Sequence, residues 1–247
     1  VEEYFKAMLV SKDRWSWMCD GQTFQSNQTG IGTSYGLHLK QPINYYNDYN
    51  IYIAYTDKNS PAAKAGIKRG YRLSKINSTD AMTLVNQGTF YTELAKNSNK
   101  FTFIDLDGNE QNITLTQSQY KSNSVVATEI FDKTNSPQIT SSKKVGYINY
   151  ISFTESLKSE ITEALLMMKN ESVDELILDL RYNGGGDLDL CTSVASLLVP
   201  SDANGKTFLH IAHNSTQVSN DFYCTFARNS NSLNLSRLYI ITSKATA

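Results

Sequence analysis

At 247 residues the chain is long enough for one large domain or two smaller ones, and 40% hydrophobic residues suffice for an ordinary core. Lys plus Arg number 23 against 24 Asp plus Glu, a formal net charge of −1, so the concentrated basic charge that nucleic acid or an anionic membrane calls for is missing. No apolar run reaches the roughly 18–20 residues of a membrane span.

Residues Val1 to about Trp17 read as a helix with Tyr4, Phe5, Met8 and Leu9 on one apolar face. Lys12 to Trp17 is a polar-aromatic break, and Asn27-Gln28-Thr29-Gly30 is turn chemistry that marks a boundary. The opening Val1-Glu2-Glu3-Tyr4 lacks a basic-then-apolar leader, which fits either a removed signal segment or a chain cut from a longer one.

From Gly30 to about Ser118 the pattern is short strands and turns. Gly36 to Lys40, Ile51 to Tyr55 and Tyr71 to Ile76 read as strands. Ser60-Pro61-Ala62-Ala63-Lys64-Ala65-Gly66 is a short helix, with Ser60 as cap, Pro61 in the first turn and Gly66 as stop. Gly88 to Ala95 suggests a second helix. Phe101 to Leu106 and Asn112 to Leu115 flank Asp107-Gly108, a strong hairpin signal.

These residues resemble a PDZ domain of the circularly permuted kind found in bacterial proteases. Ser34-Tyr35-Gly36-Leu37 is similar to its carboxylate-binding loop. Ser60 to Gly70 is similar to its "SPA-x-x-AG-hydrophobic-x-x-G" segment, with Tyr71 where an Asp usually stands. The resemblance implies edge-strand addition of a peptide whose terminal carboxylate meets Tyr35, Gly36 and Leu37.

Ser118 to Lys144 is polar, with a strand at Val125 to Phe131, and reads as a connection. Val145 to Ile151 is the next strand. Ser152-Phe153-Thr154-Glu155 reads as a capping box opening a helix whose apolar face is Leu157, Ile161, Leu165 and Met168. Leu176 to Leu180 is a buried strand that feeds, through Asn183-Gly184-Gly185-Gly186, a helix from Asp187 to Leu198. Thr207 to Ala212 and Leu238 to Thr242 are further strands. Strands alternating with helices imply a largely parallel sheet, whose ligands sit at the strand C-terminal ends.

The glycine turn permits positive φ angles and close backbone approach. It precedes a helix N-terminus, where N–H groups and the dipole favour negative charge. An oxyanion of acyl transfer is one anion that would use it; a plain tight connection is the other reading. Asp179, Asp187 and Asp189 lack a third ligand type, and Arg181 reads as an ion-pair partner. Cys19, Cys191 and Cys224 lack C-x-x-C spacing and read as isolated buried thiols rather than a zinc site or disulfide framework. Among His38, His210 and His213, the His210-x-x-His213 pair has no Glu or Cys pattern beside it and reads as surface or structural. No metal and no cofactor are expected.

The order helix, PDZ-like module, strand, helix, strand and Asp179-Leu180-Arg181-Tyr182-Asn183-Gly184-Gly185-Gly186 resembles the carboxy-terminal processing (tail-specific) serine peptidases. Val145-Gly146-Tyr147-Ile148 is similar to that family's "VGYI" strand, Asp179 to Gly186 to its "DLR-x-N-x-GG" motif, and Asp13 to Trp17 sits at its "D-x-x-S" segment. The resemblance implies a Ser–Lys dyad in which the lysine takes the serine proton. It places oxyanion donors at Gly184, Gly185 or Gly186 without choosing among them. Its serine lies in a "T-A-S-A-S-E" segment, and this chain reads Thr242-Ser243-Lys244-Ala245-Thr246-Ala247. The nucleophile is therefore expected directly after Ala247, with the lysine further on. Ser243 and Lys244 are no substitute, because adjacent extended residues point to opposite sides.

The expected fold class is α+β multidomain: an N-terminal helical segment (1–29), a PDZ-like β-rich module (30–118) and an α/β peptidase core with a largely parallel sheet, incomplete at its C-terminus (119–247). The expected function is a serine endopeptidase acting on protein or peptide C-termini, with no nucleic acid and membrane contact only through a lipid anchor. The resemblance implies export to a bacterial periplasm or cell envelope. The alternative is an inactive PDZ-containing adaptor.

Overall fold

The structure, a computed structural model, describes residues 1–11, 13, 16–40, 50–235, 237–244 and 246. Two short helices, α1 (Glu2–Met8) and α2 (Gly21–Thr29), open the chain where a single helix to Trp17 was predicted. The chain leaves α1 at Leu9, which is extended (φ −72°, ψ 134°). The predicted apolar face of α1 is covered only in part: Tyr4 is 72% and Met8 58% exposed, whereas Phe5 and Leu9 are half-buried. Asp20 caps α2 by accepting the Thr23 N–H, and Gly30 ends it at φ 69°. The turn chemistry at Asn27–Gly30 is thus the end of a helix. Lys12, Arg14 and Trp15 of the polar-aromatic break lie outside the described residues.

The next stretch holds β1 (Ile31–Ser34), β2 (Leu37–Lys40), β3 (Ile51–Thr56), α3 (Pro61–Lys64), β4 (Arg72–Ile76), β5 (Thr79–Asp80), α4 (Ala81–Asn86), α5 (Phe90–Leu94), β6 (Ser98–Ile104), β7 (Glu110–Thr116) and β8 (Ser118–Lys121). An antiparallel sheet runs in the order β2-β3-β4-β6-β7, with β5 beside β4. Strand β2 is at its edge. The Asp107-Gly108 hairpin forms between β6 and β7, with Gly108 at φ 86°. Ser60 caps α3 as predicted, its Oγ accepting the Ala63 N–H at 3.1 Å. The predicted helix from Gly88 to Ala95 forms as α5, just after Gly88 (φ 69°), and a helix that was not predicted, α4, capped by Asp80, precedes it. Ile53, Leu73, Ile76, Phe101 and Phe103 centre the core of this stretch. Pairing of β1 with β8 ties its two ends together.

The remainder holds β9 (Val125–Phe131), β10 (Val145–Tyr150), α6 (Lys158–Asn170), β11 (Glu175–Asp179), α7 (Leu188–Leu198), β12 (Thr207–Ile211), β13 (Phe222–Thr225) and β14 (Arg237–Ile241). A sheet of order β14-β11-β10-β9 is parallel except for β9. Strand β12 does not join it. It pairs antiparallel with β13, which the sequence reading missed, because the 212–221 connection brings the chain straight back instead of over a crossover.

The predicted capping box is not formed. A 3-10 turn (Glu155–Leu157) precedes α6, and the Ser152 hydroxyl pairs with Thr154 at 2.6 Å instead of with a helix N–H. The predicted face of α6 is buried in full, with Leu157, Ile161, Leu165 and Met168 at 0–3% exposure. Each such side chain contributes roughly 1.5–3 kcal/mol by leaving water, enough to hold the helix without its cap. They pack with Ile148, Tyr150, Leu176 and Val194 into a second core.

Candidate functional site

The parallel strands β10, β11 and β14 end together, and the segments that follow them converge there. Asp179 closes β11 with no exposure to solvent. Arg181 folds back on it, Nη2 2.6 Å from Oδ2 and Nε 3.0 Å from Oδ1, and its own N–H donates to Oδ1 at 3.0 Å. The Tyr147 hydroxyl of β10 donates to Oδ2 at 2.7 Å. Burial alone raises the Asp179 carboxyl, but the hydrogen bonds from Arg181 and Tyr147 outweigh it and hold the group below the usual carboxylate range. Burial, and then the bond to Asp179, pushes the Tyr147 phenol up to about 12. Arg181 is an ion-pair partner, as its sequence position suggested, and Asp179 is spent on it.

Asn183 organises the glycine turn. It is 1% exposed; its Nδ2 donates to the Tyr150 carbonyl at 3.2 Å, and its Oδ1 accepts the Gly185 N–H at 2.8 Å. The Gly184 N–H reaches the Ile151 carbonyl at a long 3.4 Å. The Phe153 N–H donates to the Gly185 carbonyl, and the Asp187 N–H to the Phe153 carbonyl, so the segments after β10 and β11 run side by side. Gly186 must be glycine: at φ 138° a Cβ would lie 2.3 Å from the Phe153 carbonyl oxygen. No acceptor among the described residues meets its N–H. Asp187 caps α7, accepting the Leu190 N–H at 2.7 Å. The helix terminus thus already holds a carboxylate, and among the three glycines the Gly186 N–H is what is left for another anion.

The segment after β14 lies against this turn. Ser243 Oγ donates to the Arg181 carbonyl at 2.8 Å, and Thr246 Oγ1 to the Leu180 carbonyl at 2.8 Å. The Ser243 proton is therefore directed at a backbone oxygen and not at Lys244. Ala245 and Ala247, at the end of the predicted nucleophile segment, lie outside the described residues.

The loop Tyr35-Gly36-Leu37 begins β2. Tyr35 belongs to the core: it is 3% exposed, its ring meets Phe101 edge-on, and its hydroxyl donates to the Lys96 carbonyl while accepting from Asn99. Its carbonyl accepts the Ala62 N–H of α3, and the Gly36 carbonyl accepts the Asp57 N–H. The Gly36 N–H donates to Ser34 Oγ at 3.0 Å. Ser34 in turn pairs with the Tyr120 hydroxyl, which donates to Asp57 Oδ2, and the same oxygen lies 2.8 Å from His38 Nε2. Asp57 is 3% exposed, and its Oδ1 has no partner among the described residues.

A cavity of about 240 Å³ follows the outer edge of β2. Leu37 and Leu39 with Phe90, Tyr91 and Leu94 make one wall; His38, Tyr55 and Tyr182 make the other. Tyr182 belongs to the Asp179–Gly186 turn, so that turn and the groove share a residue. Its ring tilts on Tyr55 at 5.7 Å and lies under the Arg69 guanidinium at 5.4 Å. His38 stacks flat on Tyr55 at 4.0 Å.

The sequence reading did not single out Tyr55, Asp57, Arg69, Tyr120 or Tyr182. Nothing local marks them, because their contacts cross as many as 127 positions, from Tyr55 to Tyr182. Among the described residues, no three metal-ligating side chains are placed to hold an ion. His210 and His213 share Asp221 at 3.5 and 3.3 Å. The cysteines are free but half-buried rather than buried as predicted, and burial, then neighbouring Cys224, pushes the Cys191 thiol up.

The model of peptidase family S41 matches residues 144–247, the part with β10, β11 and the turn. The chain is 31% identical over 144 residues to the carboxyl-terminal-processing protease of Synechocystis sp., covering 57% of this chain and 32% of that protein. It is 24% identical over 209 residues to the carboxy-terminal processing protease CtpA of Bacillus subtilis, covering 83% of this chain and 42% of that one. It therefore spans about a third to two fifths of the length of these relatives. The crystal structure of a putative S41 protease from Bacteroides fragilis shares the fold, with a TM-score of 0.63 at 22% identity over 96% of this chain and 68% of that one. The glycine turn and the strands that carry it thus lie in the part of the chain, residues 144–247, that is similar to peptidase family S41.

Proposed function

We propose that this chain is the tail-capturing and oxyanion-bearing part of a serine endopeptidase that acts on protein C-termini. The observation that carries the reading is the groove along β2 that ends on Tyr182, a residue of the Asp179–Gly186 turn. A peptide seated there lies at the doorstep of the turn. Residues 30–118 act as a PDZ-like module: a substrate tail adds to the edge of β2 that no described strand covers, with its carboxylate at Tyr35-Gly36-Leu37. The names of the relatives, processing proteases of carboxyl termini, support that substrate class.

In the reaction, Gly186 is the favoured oxyanion donor, since its N–H alone among the three glycines is uncommitted. The nucleophilic serine directly follows Ala247 in the longer protein, with a lysine beyond it as the base. The contacts of Ser243 and Thr246 with the Arg181 and Leu180 carbonyls support that placement, because they bring the segment to the turn. The protein acts outside the bacterial cytoplasm, in the periplasm or cell envelope.

The test uses the longer protein and a substrate with a free C-terminal carboxylate. Cleavage that is lost when the serine after Ala247 becomes alanine, and weakened when the substrate ends in an amide, supports the reading. Cleavage indifferent to the serine sinks it.

A further inference from the structure

The same groove carries a charge preference. This inference rests on the capture of a tail at β2. Strand β2 lies at the sheet edge, and successive side chains of a strand point to opposite faces. Leu37 and Leu39 face the core of residues 30–118, beside Phe90, Tyr91 and Leu94 of the groove. His38 and Lys40 face the other way, beside Tyr55 and Tyr182. The bulge in this hairpin falls between His38 and Leu39 of the register, where Ala54 of β3 is left without a partner, so the alternation along β2 itself is kept.

A tail that ends at the Tyr35–Leu37 loop and pairs with β2 runs antiparallel to it. Residues directly opposite in such a pair share a face. With the terminal residue opposite Leu37, the last and third-from-last side chains enter the apolar wall. The second- and fourth-from-last meet His38 and Lys40. Among the described residues, the groove is lined by these basic residues and by no carboxylate. Asp57, beneath His38, is buried and engaged on His38 and Tyr120. Asp57 thus engages His38 and leaves Lys40, which is exposed at the end of β2, beside the incoming strand.

We infer that the groove selects C-terminal tails with apolar side chains at the last and third-from-last positions and an acidic side chain fourth from the end, with Lys40 as the specificity-determining residue. Tyr182 closes the same wall, so the acidic side chain is held on the side of the glycine turn.

The experiment is fluorescence polarisation with six-residue peptides that share apolar last and third-from-last residues and carry Glu, Gln or Lys fourth from the end. At low salt the Glu peptide binds tightest and the Lys peptide weakest, with steps of roughly two- to fivefold in Kd, and the spread narrows as salt rises. In Lys40→Glu the order inverts, and in Lys40→Gln it flattens; an unchanged Tm for both variants shows that the fold is kept. Equal affinities in the parent protein, or an order that Lys40→Glu leaves as it was, overturn the charge preference while leaving tail capture standing. Binding of none of the free-carboxylate peptides removes tail capture at β2, and the preference falls with it.

Discussion

The Tyr182 ring lies 5.7 Å from that of Tyr55, so a residue inside the Asp179–Gly186 turn packs on the antiparallel sheet that precedes it by more than a hundred positions. The Arg69 guanidinium also lies over the Tyr182 ring, while its Nη1 donates to the Ala54 carbonyl. The turn is thereby fixed to both cores. Truncation by Tyr182→Ala removes an aromatic pair of about 0.5–1.5 kcal/mol and a cation–π contact of about 0.5–1 kcal/mol. The expected outcome is a loss of about 1–2 kcal/mol in urea unfolding, largely restored in Tyr182→Phe. A Tyr182→Ala protein as stable as the parent would show that the contact is incidental.

Two glycines of the turn are expected to behave oppositely. A Cβ on Gly186 meets the Phe153 carbonyl at 2.3 Å, and its φ of 138° is one that other residues avoid. Gly186→Ala must push apart the segments after β10 and β11, at about 1–3 kcal/mol or more. A Cβ on Gly184 meets nothing within 4 Å, and Gly184→Ala is expected to stay within about 1 kcal/mol of the parent. Thermal melts of the two variants decide it: equal Tm values for both would mean that the turn relaxes freely.

Much of the scaffold under this site is local chemistry and was legible as such. Ser60-Pro61 capped a helix, Asp107-Gly108 turned a hairpin, and the spacing of Leu157, Ile161, Leu165 and Met168 marked a buried face. Helix α2 escaped notice because its residues Gly21–Thr29 are almost all polar, so no apolar period reveals it; only the Asp20 cap and Gly30 stop do. Strand β12 was seen, but its partner was not, since choice of partner depends on where the chain returns and not on the strand's own residues. The same limit applies to the site. The glycine turn announces itself in sequence, whereas the groove that reaches it is assembled from Leu37, Tyr91 and Tyr182, which only the folded chain brings together.

The Asp179–Arg181 pair makes a pH-dependent contribution whose sign is fixed by its direction. The Asp179 carboxyl titrates below its unfolded value of about 3.9. Its stabilisation is therefore fully present above that value and is lost as pH falls through the folded one. In Arg181→Ala the carboxylate stays buried with Tyr147 and the Arg181 backbone N–H position as its remaining donors. The expected cost is about 1–3 kcal/mol near neutral pH, below that of a fully buried pair because the Arg181 side chain is 41% exposed, and it shrinks in acid as the carboxyl protonates. Urea titrations of parent and variant near pH 7 and near pH 3 measure this; a gap that widens in acid would reverse the assignment.

Gly36 is where the proposed capture of a carboxylate meets the integrity of the loop. Its φ is 74°, and a Cβ would fall 2.1 Å from the Ser60 Cβ and 2.3 Å from its hydroxyl, the group that caps α3. A bulky side chain, as in Gly36→Val, must displace the loop from α3, and free-carboxylate peptides are expected to lose binding by tenfold or more, roughly the worth of one charge-assisted hydrogen bond. Ser34→Ala is the informative partner. The Ser34 hydroxyl now occupies the Gly36 N–H at 3.0 Å, so removing it leaves that donor to the incoming carboxylate, and binding is expected to hold or tighten. Polarisation assays on both variants, with the amidated peptide as control, separate the causes. Weakening by Gly36→Val together with tolerance of Ser34→Ala assigns the N–H to the ligand. Unchanged affinity in Gly36→Val would remove the loop from tail capture altogether.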